Sequence, residues 1–295
     1  MKLPARVHIM EVGPRDGLQN ESAVVPVAAK VEFINRLVSA GLPQVEVTSF
    51  VSPTWVPQLA DAAEVVAAVG SNFPVLVPNE RGLDRALELG CTHIAVFASA
   101  TQTFAERNLN RTLDSQFDMF EPVIARALAA GVTVRGYVSM CWGDPWEGAV
   151  SPDQVVSVGT RLLDLGVHEL SLGDTIGVAT PGAVTQLLDA FGSKGTATSA
   201  LAVHFHDTYG QALANAYAAY LHGVRTFDSS AGGLGGCPYA KSATGNLATE
   251  DLVWMFNGLG VDTGVDLDAL VATSRWMANV LGRPSVSRVV TAYAR

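Results

Sequence analysis

Along the chain, short runs of apolar and β-branched residues alternate with helix-like segments, the pattern of parallel βα units. Eight runs read as strands, at residues 7–13, 44–50, 74–79, 93–99, 133–139, 169–175, 201–207 and 226–232. Several are introduced by a glycine that closes the preceding helix, in SAGLPQVEV, ELGCTHIAV, AAGVTVRG, DLGVHELSL and LHGVRTFDS. Glycine tolerates the positive φ at which a helix hands over to a strand, so these phrases mark boundaries. Eight such units predict an α/β fold, a (β/α)8 TIM barrel, with a doubly wound open sheet as the alternative. No linker or low-complexity stretch interrupts the series. Residues 1–295 therefore read as one domain, with additional C-terminal helices in an extension at about 262–295.

In a barrel, successive side chains of a strand face the interior and the surrounding helices in turn. In LAVHFHD, Val203 and Phe205 then pack outward, while His204 and His206 point inward near the strand's C-terminal end. The same parity turns Glu46, Thr48, Arg135 and Tyr137 inward, opposite Val45, Val47 and Val134. Polar groups thus gather toward the C-terminal mouth, where this fold carries its chemistry.

Composition narrows the function classes. With 48% hydrophobic and 16% charged residues the chain suits a large buried core. A formal net charge of -9 argues against nucleic acid or an anionic membrane as partner, and any anionic ligand needs a local positive patch. MKLPARVHIMEV lacks the apolar stretch of a signal peptide, and no apolar run reaches the roughly 18 residues of a membrane span, so the reading is cytoplasmic. Cys91, Cys141 and Cys237 show no metal-finger spacing and cannot all pair, which argues against a disulfide framework. Cys91 and Cys141 read as small buried hydrophobes.

A lone interior histidine is commonly a satisfied structural group; here the pair has company. Neutral imidazoles two residues apart on a strand can hold one cation, and a hard divalent ion then recruits oxygen ligands. Asp16, in EVGPRDGLQNE after the first strand, and Asn246, in the glycine-rich segment after the eighth, are the candidates, because strands seven, eight and one adjoin in a closed barrel. This mixed nitrogen and oxygen set without thiolate favours Mg2+ or Mn2+ over structural zinc.

The stretches EVGPRDGLQNE, VEVTSFVSPTWVPQLAD, RGYVS, SLGDTIG, VHFHDTYGQALAN, GGLGGCPYA and TGNLATED resemble the 3-hydroxy-3-methylglutaryl-CoA (HMG-CoA) lyases, metal-dependent TIM-barrel enzymes, from about Val7 to Asp251. The resemblance implies that Asp16, His204, His206 and Asn246 bind the divalent metal. It places Arg15 and Glu46 in the active centre and Cys237 on a mobile glycine-rich loop. The implied reaction splits HMG-CoA into acetyl-CoA and acetoacetate by a retro-Claisen step. That step needs a proton taken from the tertiary hydroxyl, by Asp16 or His204, a choice the sequence leaves open. It also needs the acetyl-CoA enolate held, for which Arg15 is suited, and then protonated at carbon, for which Cys237 is suited. Glu11 and Asp251 either brace Arg15 and the metal ligands from behind or satisfy backbone donors. Asn108, flanked by Arg107 and Arg111, with Tyr137, Asp174, Thr175 and Lys241, are the expected contacts of the small-molecule acyl-CoA substrate.

One departure from the family pattern is Met140, where many members carry cysteine; with Trp142 and Trp146 nearby, it bears on the shape of the acyl pocket. The apolar segment ALVATSRWMANVLG covers either the barrel's bottom or an interface, and a homodimer is expected. The main rivals are a lyase or aldolase acting on another 3-hydroxy-3-alkylglutaryl-CoA and a condensing enzyme like the alkylmalate synthases. The cysteine of GGLGGCPYA favours the lyase over the synthases. A metal-dependent hydrolase would commonly carry its H-x-H on the first strand, and a binding barrel without activity would not need the full ligand set.

Overall fold

The computed structural model describes residues 3–22, 24–236 and 245–293; Cys237 and Lys241 lie outside them. All eight expected strands form. We label them β1 (His8–Glu11), β2 (two pieces, Gln44–Val45 and Thr48–Ser49), β3 (Val75–Leu76), β4 (His93–Ser99), β5 (Thr133–Ser139), β6 (Glu169–Asp174), β7 (Leu201–Phe205) and β8 (Thr226–Ser229). They make one parallel sheet in the order first piece of β2, β1, β8, β7, β6, β5, β4, β3, second piece of β2. The sheet therefore begins and ends within the stretch 44–49. Between its pieces the Glu46 N–H donates to Glu11 O at 2.9 Å and the Val47 N–H to Pro74 O at 3.1 Å.

A helix follows each strand: Val27–Ser39, Ala62–Val69, Glu80–Glu88, Ser115–Ala129, Pro152–Asp164, Pro181–Ser193, Ala212–Leu221 and Thr249–Gly258. Their starts obey local chemistry. Asn79 accepts from Gly82 N at 3.0 Å, and Ser151 accepts from Gln154 N at 3.3 Å with Pro152 in the first turn, where a missing N–H costs nothing. The glycine hand-overs hold as well: Gly41 has φ +94, and a Cβ there would run into Gly264 O, so the position needs glycine twice over.

The strand parity is observed. Val45, Val47, Val134, Val203 and Phe205 belong to the apolar layer shared with the helices, each almost fully buried. Sequestering a side chain such as Phe205 is worth about 1.5–3 kcal/mol, and the layer repeats this all along the sheet. The opposite face carries Glu46, Thr48, Arg135, Tyr137 and His204, buried but polar. Beyond β8, the helix Leu267–Leu281 is capped by Asp266, closed by Gly282 at φ 67, and packed on Val27–Ser39; a short helix, Arg288–Ala292, follows. One element was not expected, a two-residue antiparallel hairpin of Gly143–Asp144 with Gly148–Ala149 in the loop after β5. Asp144 builds it, accepting from Thr101 Oγ1 at 2.6 Å and from the N–H groups of Trp146 and Glu147.

Candidate functional site

After β1 the chain does not run straight into a helix but makes a single wide turn of π type, Gly13–Gly17, with Pro14 at its start. Glu11 fixes this turn from behind, accepting from Gly13 N at 2.8 Å. The turn leaves Arg15 and Asp16 side by side at the C-terminal end of the sheet. Arg15 sends Nε and Nη2 to Glu46 Oε2 at 2.9 and 2.8 Å, and Nη1 to Asp16 Oδ1 at 2.7 Å. Tyr137 adds its hydroxyl to the same Glu46 oxygen at 3.1 Å, and the Arg15 guanidinium carbon lies 5.7 Å from the Tyr137 ring centre. Burial alone would disfavour the Arg15 charge, but Glu46 and Asp16 overcome it and raise its pKa further. Burial works against the Asp16 carboxylate too, yet Arg15 first, then His204 and His206, hold it below the usual carboxylate range.

His204 comes from β7. His206 lies one residue past the strand's end, where it forms an isolated antiparallel bridge with Asn246. That bridge delivers Asn246, whose Nδ2 donates to Asp16 Oδ2 at 2.8 Å and to Leu234 O at 2.9 Å. Ligand atoms of Asp16, His204 and His206 all lie within 4.8 Å of one another. Two buried acceptors here, His206 Nδ1 and Asn246 Oδ1, lack a hydrogen-bond partner, while His204 Nδ1 faces Asp228 Oδ2 at 3.4 Å. A cluster of one carboxylate, two imidazoles and one amide oxygen, with acceptors left unsatisfied in a buried setting, fits a divalent cation. Burial, then the neighbouring His204, lowers the His206 pKa to about 4, so that ring is neutral and free to coordinate. For His204 burial acts the same way, but Asp228 and Asp16 outweigh it and raise the pKa.

Arg15, Asp16, His204 and His206 line a cavity of about 590 Å³ that also takes in Gln19, Asn20, Asn108, Ser139 and Thr175. Its other wall is apolar, from Leu76, Phe97, Phe104, Leu109 and Met119. Tyr137 stands between the two characters, with its ring toward Leu76 and its hydroxyl on Glu46. Met140 and Trp142 are not among the lining side chains. Met140 instead holds an uncommon φ of +62, and its N–H donates to Thr175 Oγ1 at 2.8 Å, which fixes that lining hydroxyl. Arg107, next to Asn108, stacks on Trp146 at 4.5 Å.

One expected substrate contact sits elsewhere. Asp174 is not on the cavity wall; it accepts from Val178 N at 2.9 Å and Ala179 N at 3.1 Å and thereby shapes the turn after β6, and burial pushes its pKa up to about 6. Asp251 takes the second of its two expected roles, accepting from the backbone N–H groups of Val289 at 2.9 Å and Arg288 at 3.1 Å, and from the Ser287 hydroxyl at 2.7 Å. Behind the site stand other carboxylates. Glu11 accepts from Ala231 N at 2.9 Å and Thr249 Oγ1 at 2.6 Å, so it too serves backbone donors. Glu250 takes the Gly232 N–H on both oxygens and the Ser274 hydroxyl. Asp228, on β8 directly across from His204, was missed although its strand parity matches that of the histidine.

The family model described as HMGL-like matches residues 6–277. The chain belongs to the HMGL-like family. It is 49% identical over 294 residues to the mitochondrial hydroxymethylglutaryl-CoA lyase of Rattus norvegicus, covering 98% of this chain and 90% of that relative. It is also 49% identical over 296 residues to the 3-hydroxy-3-isohexenylglutaryl-CoA/hydroxymethylglutaryl-CoA lyase of Pseudomonas aeruginosa, covering 99% of this chain and 98% of the relative. An HMG-CoA lyase structure from Acinetobacter baumannii, in complex with coenzyme A and 3-methylmalate, superposes with a TM-score of 0.94 at 37% identity, over 99% of this chain and 97% of that one. HMGL-like membership thus rests on nearly the full length of the chain and includes every element that builds the cluster.

Proposed function

We propose that this HMGL-like protein is a carbon-carbon lyase that cleaves HMG-CoA to acetyl-CoA and acetoacetate by a metal-dependent retro-Claisen reaction. The observation that carries the reading is the convergence of Asp16, His204 and His206 beside a buried, fully held Arg15. Asp16, His204, His206 and Asn246 Oδ1 are the groups that would hold the cation, Mg2+ or Mn2+ by their chemistry. When bound, it supplies Lewis-acid activation of the tertiary hydroxyl and a template for substrate oxygens. Glu46 and Tyr137 hold the Arg15 guanidinium in one pose. A fixed donor there stabilises an enolate oxygen, and losing such a donor typically costs about 2.7–4 kcal/mol. Asp16 receives the hydroxyl proton, because His204, with one nitrogen toward Asp228 and the other for the cation, has no lone pair free for it. Cys237 protonates the enolate carbon from the segment anchored by Glu11 and Glu250 at Ala231 and Gly232.

Coenzyme A is read as entering past Asn108, where Arg107 and Arg111 offset the net acidity of the chain, with Lys241 as a further contact. The fold is read as a closed (β/α)8 barrel of one domain, with the C-terminal helices as an extension; both ends of the sheet lying in 44–49 support closure. Among the described residues no helix is long and apolar enough to cross a membrane. The free buried thiols of Cys91 and Cys141 support a reducing compartment such as the cytoplasm. A homodimer is supported by exposed Tyr217, Leu221 and Trp254 on the adjoining helices Ala212–Leu221 and Thr249–Gly258, and a monomer in sedimentation velocity would remove that reading.

A second reading, a lyase that also accepts larger 3-alkyl groups, is favoured by the apolar wall of Leu76, Phe97 and Met119 and by the double name of the Pseudomonas relative. One experiment tests both. The chelated, dialysed protein is incubated with a panel of 3-hydroxy-3-alkylglutaryl-CoA esters, with and without added Mn2+, and products are detected by mass. Acetyl-CoA and acetoacetate from HMG-CoA only when metal is present are expected; undiminished turnover after exhaustive chelation overturns the metal-dependent mechanism. Cleavage confined to the methyl substrate removes the second reading.

A further inference from the structure

Beneath the metal cluster the interior holds a chain of buried charges that neither the catalytic steps above nor the cavity lining uses. Arg135, on β5, sends Nη2 and Nη1 to the two oxygens of Asp228 at 2.7 and 3.1 Å and its Nε to Glu169 at 2.8 Å. Ser171 donates to Asp228 Oδ2 at 2.7 Å, and the same oxygen lies 3.4 Å from His204 Nδ1. Asp228 and Ser171 are completely buried in side chain, and Arg135 is nearly so. The Arg135 guanidinium also sits 4.8 Å from the Tyr137 ring centre, which fixes its place in the interior.

Stability alone is a poor reason for this arrangement. Taking such ions out of water costs several kcal/mol each, and well-packed apolar replacements of a buried ion pair are often neutral or better. What an apolar filling would not provide is an anion of fixed position against one edge of His204. With three donors already on its two oxygens, the Asp228 carboxylate has no freedom to turn away. An imidazole that faces a carboxylate with Nδ1 carries its proton there and keeps the lone pair on Nε2, which fixes both tautomer and ring orientation.

We propose that Asp228, locked by Arg135 and Ser171, is the positioning residue of His204: it holds the proton on Nδ1 and so keeps Nε2 available to the cation. Resting on the metal-centre reading, this deepens it by assigning the network behind the ligand. Glu169, at the far end, steadies Arg135 rather than the histidine.

The test is cation binding by the metal-free full-length protein, read by isothermal titration with Mn2+. For folded Asp228→Asn, which keeps the shape but not the charge, Mn2+ affinity is expected to fall by about 10–100-fold. Affinity within twofold of wild type overturns the proposal, whatever happens to melting temperature, because a purely structural role moves stability and not the affinity of the folded protein. Leaving Arg135 half-paired can prevent folding; in that case the double variant Arg135→Leu/Asp228→Asn, which removes both charges together, is judged by the same thresholds. An independent readout needs no variant. In 15N-histidine NMR of the metal-free wild type, the neutral His204 ring should carry its proton on Nδ1, and the Nε2–H tautomer overturns the proposal. Wild-type protein that binds no Mn2+ at all sinks the metal-centre reading itself, an outcome distinct from tight binding that survives Asp228→Asn.

Discussion

Arg15 is where charge, geometry and burial bear most heavily on one side chain. Two of its nitrogens converge on a single Glu46 oxygen while the third nitrogen holds Asp16. Lysine at this position keeps the charge but offers one nitrogen for the work of three, so it cannot hold Glu46 and Asp16 in the same planar fork. Arg15→Lys is expected to lower kcat on HMG-CoA by 10²–10³-fold, roughly the 2.7–4 kcal/mol of a lost oxyanion donor, with a smaller change in KM. Steady-state kinetics check this, and a loss carried entirely by KM would reassign Arg15 to ground-state binding. Strand parity turned Glu46 and both histidines inward and strand adjacency offered Asp16, whereas Arg15 came with the family resemblance. Pairing of Arg15 with Glu46 was also open to the sequence reading, but the Tyr137 hydroxyl on the same carboxylate, from a strand 91 residues away, was not. For Asp251 the sequence left two roles open, and the structure shows the backbone-donor one: both it and Glu250 start a helix, and neighbours on a helix point about 100° apart. Glu250 turns toward Gly232 while Asp251 turns toward the last helix.

Among the elements, the glycine-rich segment after β8 depends on several close approaches. Gly235 sits at φ +111, and a Cβ there would stand 2.5 Å from Asn246 Nδ2. Gly245 faces the carbonyls of Gly233 and Gly235 in the same way, so the two ends of this segment are clasped backbone to backbone. Gly235→Ala therefore combines backbone strain of about 1–3 kcal/mol with displacement of the amide that holds Asp16. Differential scanning fluorimetry is expected to show a lower melting temperature and a smaller upward shift on adding Mn2+. Gly210→Ala is the control: its φ of +69 is similarly strained, but nothing lies within 4 Å, so the Mn2+ shift should stay at the wild-type value. The strands were legible because β-branched runs and closing glycines repeat along the chain. The break in β2 and the early end of β7 were not, because each is set by a partner far away in sequence: Pro74 and Glu11 for the first, Asn246 for the second.

The whole molecule carries its buried acids as a dependence of stability on pH. Burial pushes Glu250 up to about 8 and Glu11 up to about 7, against 4.5 for an ordinary glutamate. Between those values the folded protein keeps protons that the unfolded chain has released, so stability falls as pH rises. The contribution is fully present below about 4.5 and is lost for Glu250 as pH passes about 8. Urea unfolding of the metal-free protein at several pH values between 5 and 8 should show this decline. In Glu250→Gln it should be shallower by on the order of 1 kcal/mol per pH unit. Parallel curves for the two proteins would mean that Glu250 is already ionised in the folded state.

The stretch 44–49 closes on its neighbours through two residue pairs on either flank, against seven between β4 and β5. Glu46 lies in the gap between those sparse pairings and is the anchor of Arg15. On gentle warming, the fastening that orients the guanidinium is expected among the first to loosen, with activity lost ahead of helical signal in circular dichroism. Ligands that draw Arg15 and Asp16 together brace that seam from within, so occupancy of the cleft should slow amide exchange at Glu46 and Val47 before it protects any other part of the sheet.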